Sequence, residues 1–136
     1  MYRRSSCISL VLLVALSFLR VTGADEPSPK PLTPIEARKK VGEQIVLEMT
    51  VKKAKDRLEK RGEIYLDAEL DFRAETNFAT VINRDGAFGF ENKNVKDFEE
   101  YFLGKTIRVR GSVTVVAEIP RIEVSDSQQV EIIEKK

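Results

Sequence analysis

Residues 94–116 read Asn-Val-Lys-Asp-Phe-Glu-Glu-Tyr-Phe-Leu-Gly-Lys-Thr-Ile-Arg-Val-Arg-Gly-Ser-Val-Thr-Val-Val. The stretch changes period half-way. Val95, Phe98 and Phe102 recur at i, i+3 and i+7, which predicts a helix over about 95–103 that lays one apolar stripe on a neighbour. Asn94 stands where an N-cap belongs, Asp97 falls in the first turn and Gly104 lies just past the end. From Thr106 the period is two. Ile107, Val109, Val113 and Val115 share one parity, Arg108, Arg110, Ser112 and Thr114 the other, so a long strand with one buried face follows the helix. Gly111 permits a bend or a close contact within it.

Working outward, the same period recurs on both sides. Ile45, Leu47, Met49 and Val51 alternate with Val46, Glu48, Thr50 and Lys52 in a first strand. Gly62 opens a second over residues 63–67, with Ile64 and Leu66 on one side and Tyr65 on the other. A third runs from Phe78 to Asn83 and stops at the turn signal Arg84-Asp85-Gly86. Downstream, Ile122 and Val124 continue after Pro120, and Val130 with Ile132 makes a last short segment. Three strands, a helix and two strands is the order of the OB-fold, a small partly open barrel. A ferredoxin-like order would need a helix between the first two strands, where Lys53 to Arg61 is a charged hairpin connection without an apolar stripe. The expectation is therefore a mainly β chain: a five-stranded OB-fold barrel with one helix between strands three and four and a short N-terminal helix. That short helix follows from Thr33 as cap, Pro34 at the first helical position and Glu36 three residues after Thr33; it runs to about Lys40 and is closed by Gly42.

The remaining segments set the domain organisation. Met1-Tyr-Arg-Arg gives a basic start, and Cys7 to Leu19 a 13-residue apolar core, shorter than the roughly 17–25 residues of a spanning helix. Small residues follow at Thr22, Gly23 and Ala24. Residues 1–24 read as a signal peptide cut after Ala24, 25–34 as a Pro-rich linker with four of the five prolines, and 35–136 as the OB-fold domain. No membrane span remains after that cut, and the expected location is secreted or periplasmic. The 136-residue chain carries a formal charge of +1, and loss of Arg3, Arg4 and Arg20 brings the mature form to about −2.

The residue inventory excludes much chemistry. The sequence has no His, no Trp and one Cys, Cys7, which leaves with the leader. A disulfide framework, a Cys nucleophile, a Cys/His zinc site and a Ser-His-Asp triad are thereby ruled out. The expectation is a non-catalytic protein with no metal and no cofactor. Asp67, Glu69 and Asp71 alternate like the first ligands of a calcium loop, but Phe72 stands where the sharp turn needs Gly and Phe78 where the bidentate Glu belongs.

Specific residues also carry a family likeness. Lys60-Arg-Gly-Glu-Ile-Tyr-Leu-Asp67, Asn77-Phe-Ala-Thr-Val-Ile82, Gly104-Lys-Thr-Ile-Arg-Val-Arg-Gly111, Ile119-Pro-Arg-Ile-Glu-Val-Ser125 and Gln129-Val130 together resemble secreted bacterial OB-fold domain proteins. They are similar to the OB modules that accompany some extracellular nucleases. The likeness covers about residues 43–133 and extends to no catalytic domain. It departs at Val116 and Glu118, where such modules often carry an aromatic and a glycine. The resemblance implies the barrel and, more weakly, nucleic-acid binding.

The densest functional signal is Lys52, Lys53, Lys55, Arg57, Lys60 and Arg61, offset in that stretch only by Asp56 and Glu59. OB-folds bind oligonucleotides or oligosaccharides with the loop between strands one and two, the outer face of strands two and three, and the loop between strands four and five. Cations there meet phosphates without reading sequence. Their bland role is a Lys-rich edge that blocks strand addition. Tyr65, of opposite parity to the apolar residues of its strand, is the candidate stacking platform. Arg108 and Arg110 either extend the basic stripe or pair with Glu48 across strands. Arg38-Lys39-Lys40 reads as an anion-binding edge or as the solvated end of a helix. Phe78, Phe88, Phe90, Phe98 and Phe102 are assigned to the core. The leading function is a secreted module for single-stranded nucleic acid or another polyanion; the alternative is a cell-envelope structural or protein-interaction domain with an envelope protein as partner. One continuous basic groove beside an exposed Tyr65 favours the first, intermixed Asp and Glu the second.

Overall fold

The apolar alternation at 45, 47, 49 and 51 becomes a strand, β1 (Gln44–Thr50), in a computed structural model of the chain that describes residues 30–133. The expected signal peptide, most of the expected linker and residues 134–136 lie outside the described residues. Ahead of β1, α1 (Pro34–Ala37) has the expected capping box: Glu36 N–H donates to Thr33 Oγ1 at 3.2 Å, and Thr33 N–H to Glu36 Oε1 at 2.9 Å. The helix stops at Ala37, short of Lys40.

The rest of the chain is β2 (Lys53–Arg57), α2 (Leu58–Arg61), β3 (Glu63–Asp67), β4 (Ala79–Asn83), α3 (Arg84–Glu91), α4 (Phe98–Phe102), β5 (Thr106–Val116), β6 (Ile119–Val124) and β7 (Val130–Ile133). One sheet takes all seven strands in the order β1-β5-β6-β4-β3-β2, with β7 beside β5. Every pairing between these strands is antiparallel except β4 with β6, and Leu32 adds a parallel bridge to Leu47 of β1. The result is mainly β and OB-like, with two departures from the expected five-stranded barrel.

The first departure is at residues 53–61. They are a strand and one helical turn, not a connection, so that β1 and β2 form a single run bent at Val51-Lys52. At the bend Val51 N–H donates to Lys105 O and Gly104 N–H to Val51 O, both at 2.8 Å, while Lys52 N–H donates to Asp67 O at 2.9 Å. The run thus leaves the β5 edge and joins the β3 edge within two residues. No ladder joins β1 to β2; the open sheet curls because its two end strands are successive in the chain.

The second departure is the helix between the third and fourth expected strands. Arg84-Asp85-Gly86 is not a turn but the start of α3, capped by Asn83 Oδ1 accepting from Gly86 N–H at 3.1 Å. Gly86 serves close packing: a Cβ there would lie 2.6 Å from Val124 O. The expected helix over 95–103 shrinks to α4, capped by Asp97, which accepts from Glu100 N–H at 3.0 Å. Asn94 instead takes a left-handed φ of 71° in the link between α3 and α4.

The core lies between the inner sheet face and these helices. Leu47, Val51, Ile64, Leu66, Ile82, Ile107, Val109, Val113 and Ile122 are fully buried, as are Phe78 and Phe102, with Phe90 and Phe98 buried beside them. Phe90 meets Phe98 and Phe102 edge-on, at centroid distances of 6.5 and 5.3 Å, the favoured arrangement of aromatic quadrupoles. Phe88 breaks the expectation and is 63% exposed. At about 100° per residue it lies some 200° round the helix from Phe90, so it cannot share the inward face. Among the described residues no helix is long and apolar enough to cross a membrane.

Candidate ligand-binding face

Strand pairing decides which cations share a surface. In β2, Ala54 and Asp56 pair with Leu66 and Ile64, so their side of the strand is the inner one. Lys53, Lys55 and Arg57 therefore project outward, opposite Asp67, Tyr65 and Glu63 of β3. The rows continue across β4 through Ala79, Val81 and Asn83, and reach Arg121 and Glu123 of β6. Tyr65 is thus on the outer face, half-buried, flanked by cations on β2 and β6.

The acids of β3 interleave with these cations. Tyr65 Oη donates to Glu63 Oε1 at 2.6 Å, and Glu63 Oε2 stands 3.6 Å from Arg121 Nη1. The Arg121 guanidinium lies 5.9 Å from the Tyr65 ring centroid, within cation–π reach. Burial and the Glu63 carboxylate push the Tyr65 hydroxyl up in pKa, with Arg61 and Arg121 pulling the other way. Asp67 is 7% exposed. Burial raises its carboxyl above the usual range, against a hydrogen bond from Asn77 Nδ2 at 3.0 Å and the charges of Lys53, Arg121 and Lys55.

The other expected site residues part company. Lys52 is bound to Glu69 at 3.0 Å, and the hydrogen bond from Thr76 and this lysine hold the Glu69 carboxyl below its usual range. Lys60 and Arg61 end α2, where positive charge suits the helix dipole, before Gly62 in the left-handed region at φ 72°. Arg61 acts on the Tyr65 hydroxyl; Lys60, with Arg57, lines an open groove of about 700 Å³ beside α4, in which Asp56, Glu59, Glu91, Asp97 and Glu99 outweigh the bases. Arg108 and Arg110 are not brought to this face. They sit on the β1–β5–β7 part of the sheet, where Arg108 Nε is 2.9 Å from Glu48 Oε1 and Arg110 pairs with Val46. Arg38, from the N-terminal basic triplet, donates to the main-chain oxygen of Asn77 and straps α1 to the β3–β4 loop.

The acidic loop is spent on structure. Asp67 accepts from Asn77, Glu69 takes Lys52 and Thr76, and Asp71 Oδ1 accepts from Arg73 N–H at 2.9 Å. Arg121 is the residue that the sequence reading passed over. Its parity with Glu123, opposite to Ile122 and Val124, was available; the parallel β4–β6 pairing that brings it to Tyr65 is non-local and was not.

The basic residues do not form one continuous groove. Cations and carboxylates alternate across a face with Tyr65 near its centre, an arrangement that can hold a flexible anionic chain at several points and stack one planar group.

No family model matches the chain, and no curated protein matches it by sequence. Solved structures do. A chain assigned as an aspartyl-tRNA synthetase from Leishmania major Friedlin matches over 85% of this chain and 23% of its own, at 8% identity and a TM-score of 0.50. Asparaginyl-tRNA synthetase from Pyrococcus horikoshii matches over 76% of this chain and 23% of its own, at 18% identity and a TM-score of 0.45. This chain spans under a quarter of the length of either. The first match shows a shared fold.

Proposed function

We propose that this domain is a non-catalytic binding module for single-stranded nucleic acid or a similar polyanion, and that its site is the outer face of β2 and β3. One observation carries the reading: the β2–β3 register sets Lys53, Lys55 and Arg57 on the same side as Tyr65. Single-stranded binders combine such a cationic track with an aromatic on which bases stack. The occurrence of this fold within a tRNA synthetase supports the nucleic-acid side of the proposal. The apolar run at 7–19 supports export, and with it the likeness to secreted OB modules. An intact mass beginning at Asp25 would bear that part out.

The test is binding of labelled oligonucleotides at two salt concentrations. Log affinity should fall linearly with log salt, by about 0.7 per phosphate neutralised. Replacing Lys53 and Lys55 by Ala should make that slope shallower by up to about 1.4. Tyr65→Ala should instead cost about 1–3 kcal/mol of binding with the slope unchanged. Absence of binding at low salt would leave the second reading, a protein-interaction domain of the cell envelope. The acids interleaved on the face, Glu63 and Asp67, favour that alternative, since mixed charges suit a protein surface better than a phosphate chain.

A further inference from the structure

Arg121 is the least satisfied polar group on the face. Its side chain is 13% exposed, and its buried Nε has no hydrogen-bond partner among the described residues. A guanidinium carries five N–H donors in a rigid fork. Among the described residues, this one makes a single ion contact, of 3.6 Å, to Glu63. Glu63 in turn is held more closely by the Tyr65 hydroxyl, at 2.6 Å, than by the arginine. The carboxylate therefore neutralises Arg121 without using its fork. A buried donor left unpaired is uncommon in folded proteins, and a planar fork beside an aromatic ring is the geometry that takes a phosphate by two parallel bonds.

We propose that Arg121 is the phosphate anchor of this face, and that Glu63 is an internal anion which a phosphodiester of a single strand replaces on Arg121, the adjacent base lying on Tyr65. The proposal rests on the nucleic-acid reading above. It adds that the decisive cation stands on β6 and not in the basic stretch 52–61, and that a carboxylate of the protein opposes its own ligand. Thr114, paired with Arg121 across β5 and β6, lies next in the same row and offers a hydroxyl to the same phosphate.

The experiment is fluorescence anisotropy of the full chain with a labelled 12-mer of deoxythymidine and an abasic 12-mer, at low salt. Glu63→Gln keeps an acceptor for Tyr65 and removes the competing charge, so it should tighten binding of both probes by about threefold. Arg121→Gln should weaken both by about tenfold. Adding Glu63→Gln to Arg121→Gln should then bring no gain, because the acid acts through the arginine. Thermal melts report whether each variant folds; if Arg121→Gln does not, the Glu63→Gln result decides alone. Unchanged or weaker binding by Glu63→Gln overturns the proposal. So does wild-type affinity in Arg121→Gln when the Lys53 and Lys55 replacements still lose binding, an outcome that leaves the broader reading standing. If the wild-type chain binds neither probe, both fall together.

Discussion

The outer faces of the two parts of the sheet have the same alternation of polar residues and spend it differently. Where β1 meets β5, polar residues bond straight across the strands: Glu48 to Arg108 at 2.9 Å, Thr50 to Thr106 at 3.0 Å, Gln44 to Ser112 at 2.8 Å. Where β2 meets β3, Lys53 faces Asp67, Lys55 faces Tyr65 and Arg57 faces Glu63, yet among the described residues no such bond joins them. The polar groups of β3 turn elsewhere, Tyr65 along its own strand to Glu63 and Asp67 to Asn77 in the following loop. The first surface pairs its charges across strands; the second bonds its acids to other groups and leaves Lys53, Lys55 and Arg57 without a bond to their partners on β3 among the described residues.

The largest effect should come from the floor that both parts share. Phe98→Ala removes a ring 3% exposed that meets Phe90 edge-on, and should cost about 3–5 kcal/mol in denaturant unfolding. A loss below about 1 kcal/mol would mean that α4 is not part of the common core. The contrast between the faces is sharpened by Arg108→Ala. Its ion pair is half-exposed, so removing it should cost under about 1 kcal/mol of stability and leave oligonucleotide affinity unchanged. A loss of binding equal to that of the Lys53 and Lys55 replacements would merge the two faces into one site.

The smallest effect is a pH dependence. Burial raises the Asp67 carboxyl in the folded protein, so the native state holds a proton that the unfolded chain has released. Unfolding free energy should therefore decline as pH rises from the ordinary aspartate range, about 4, through the higher folded value. Asp67→Asn can still accept from Asn77 and should flatten that decline, as read from denaturant midpoints across the range. The carboxyls of Glu36 and Glu69, held low, contribute in the opposite sense and only below the ordinary range.

Strands with a strong apolar alternation were legible without coordinates. β1, β3, β4 and β5 begin and end within about two residues of where the pattern of Ile, Leu and Val placed them, because their buried faces are written in consecutive alternate positions. β2 was not, since its inner face holds only Ala54 and Asp56; its strand character comes from pairing with β3 and no local signal announces it. α3 was hidden by two glycines that suit close packing against Val124 and Ser127 but read locally as turn residues. The site was half legible: the cations and Tyr65 could be named, but their division into an outer row, a groove over acids and a pair on the far strands depends on pairings between distant segments.

The bend at Val51-Lys52 is also where the run changes phase: odd positions face inward in β1, even ones in β2. β1 is fixed against β5 by partners about 60 residues away in sequence, whereas β2 is fixed against a strand that follows almost at once. An extra residue inserted at the bend would leave both registers in place and be taken up as a bulge between them. What such a residue would disturb is the bonding of the bend itself, Val51 with Lys105 and Gly104 and Lys52 with Asp67, through which the run passes from one sheet edge to the other.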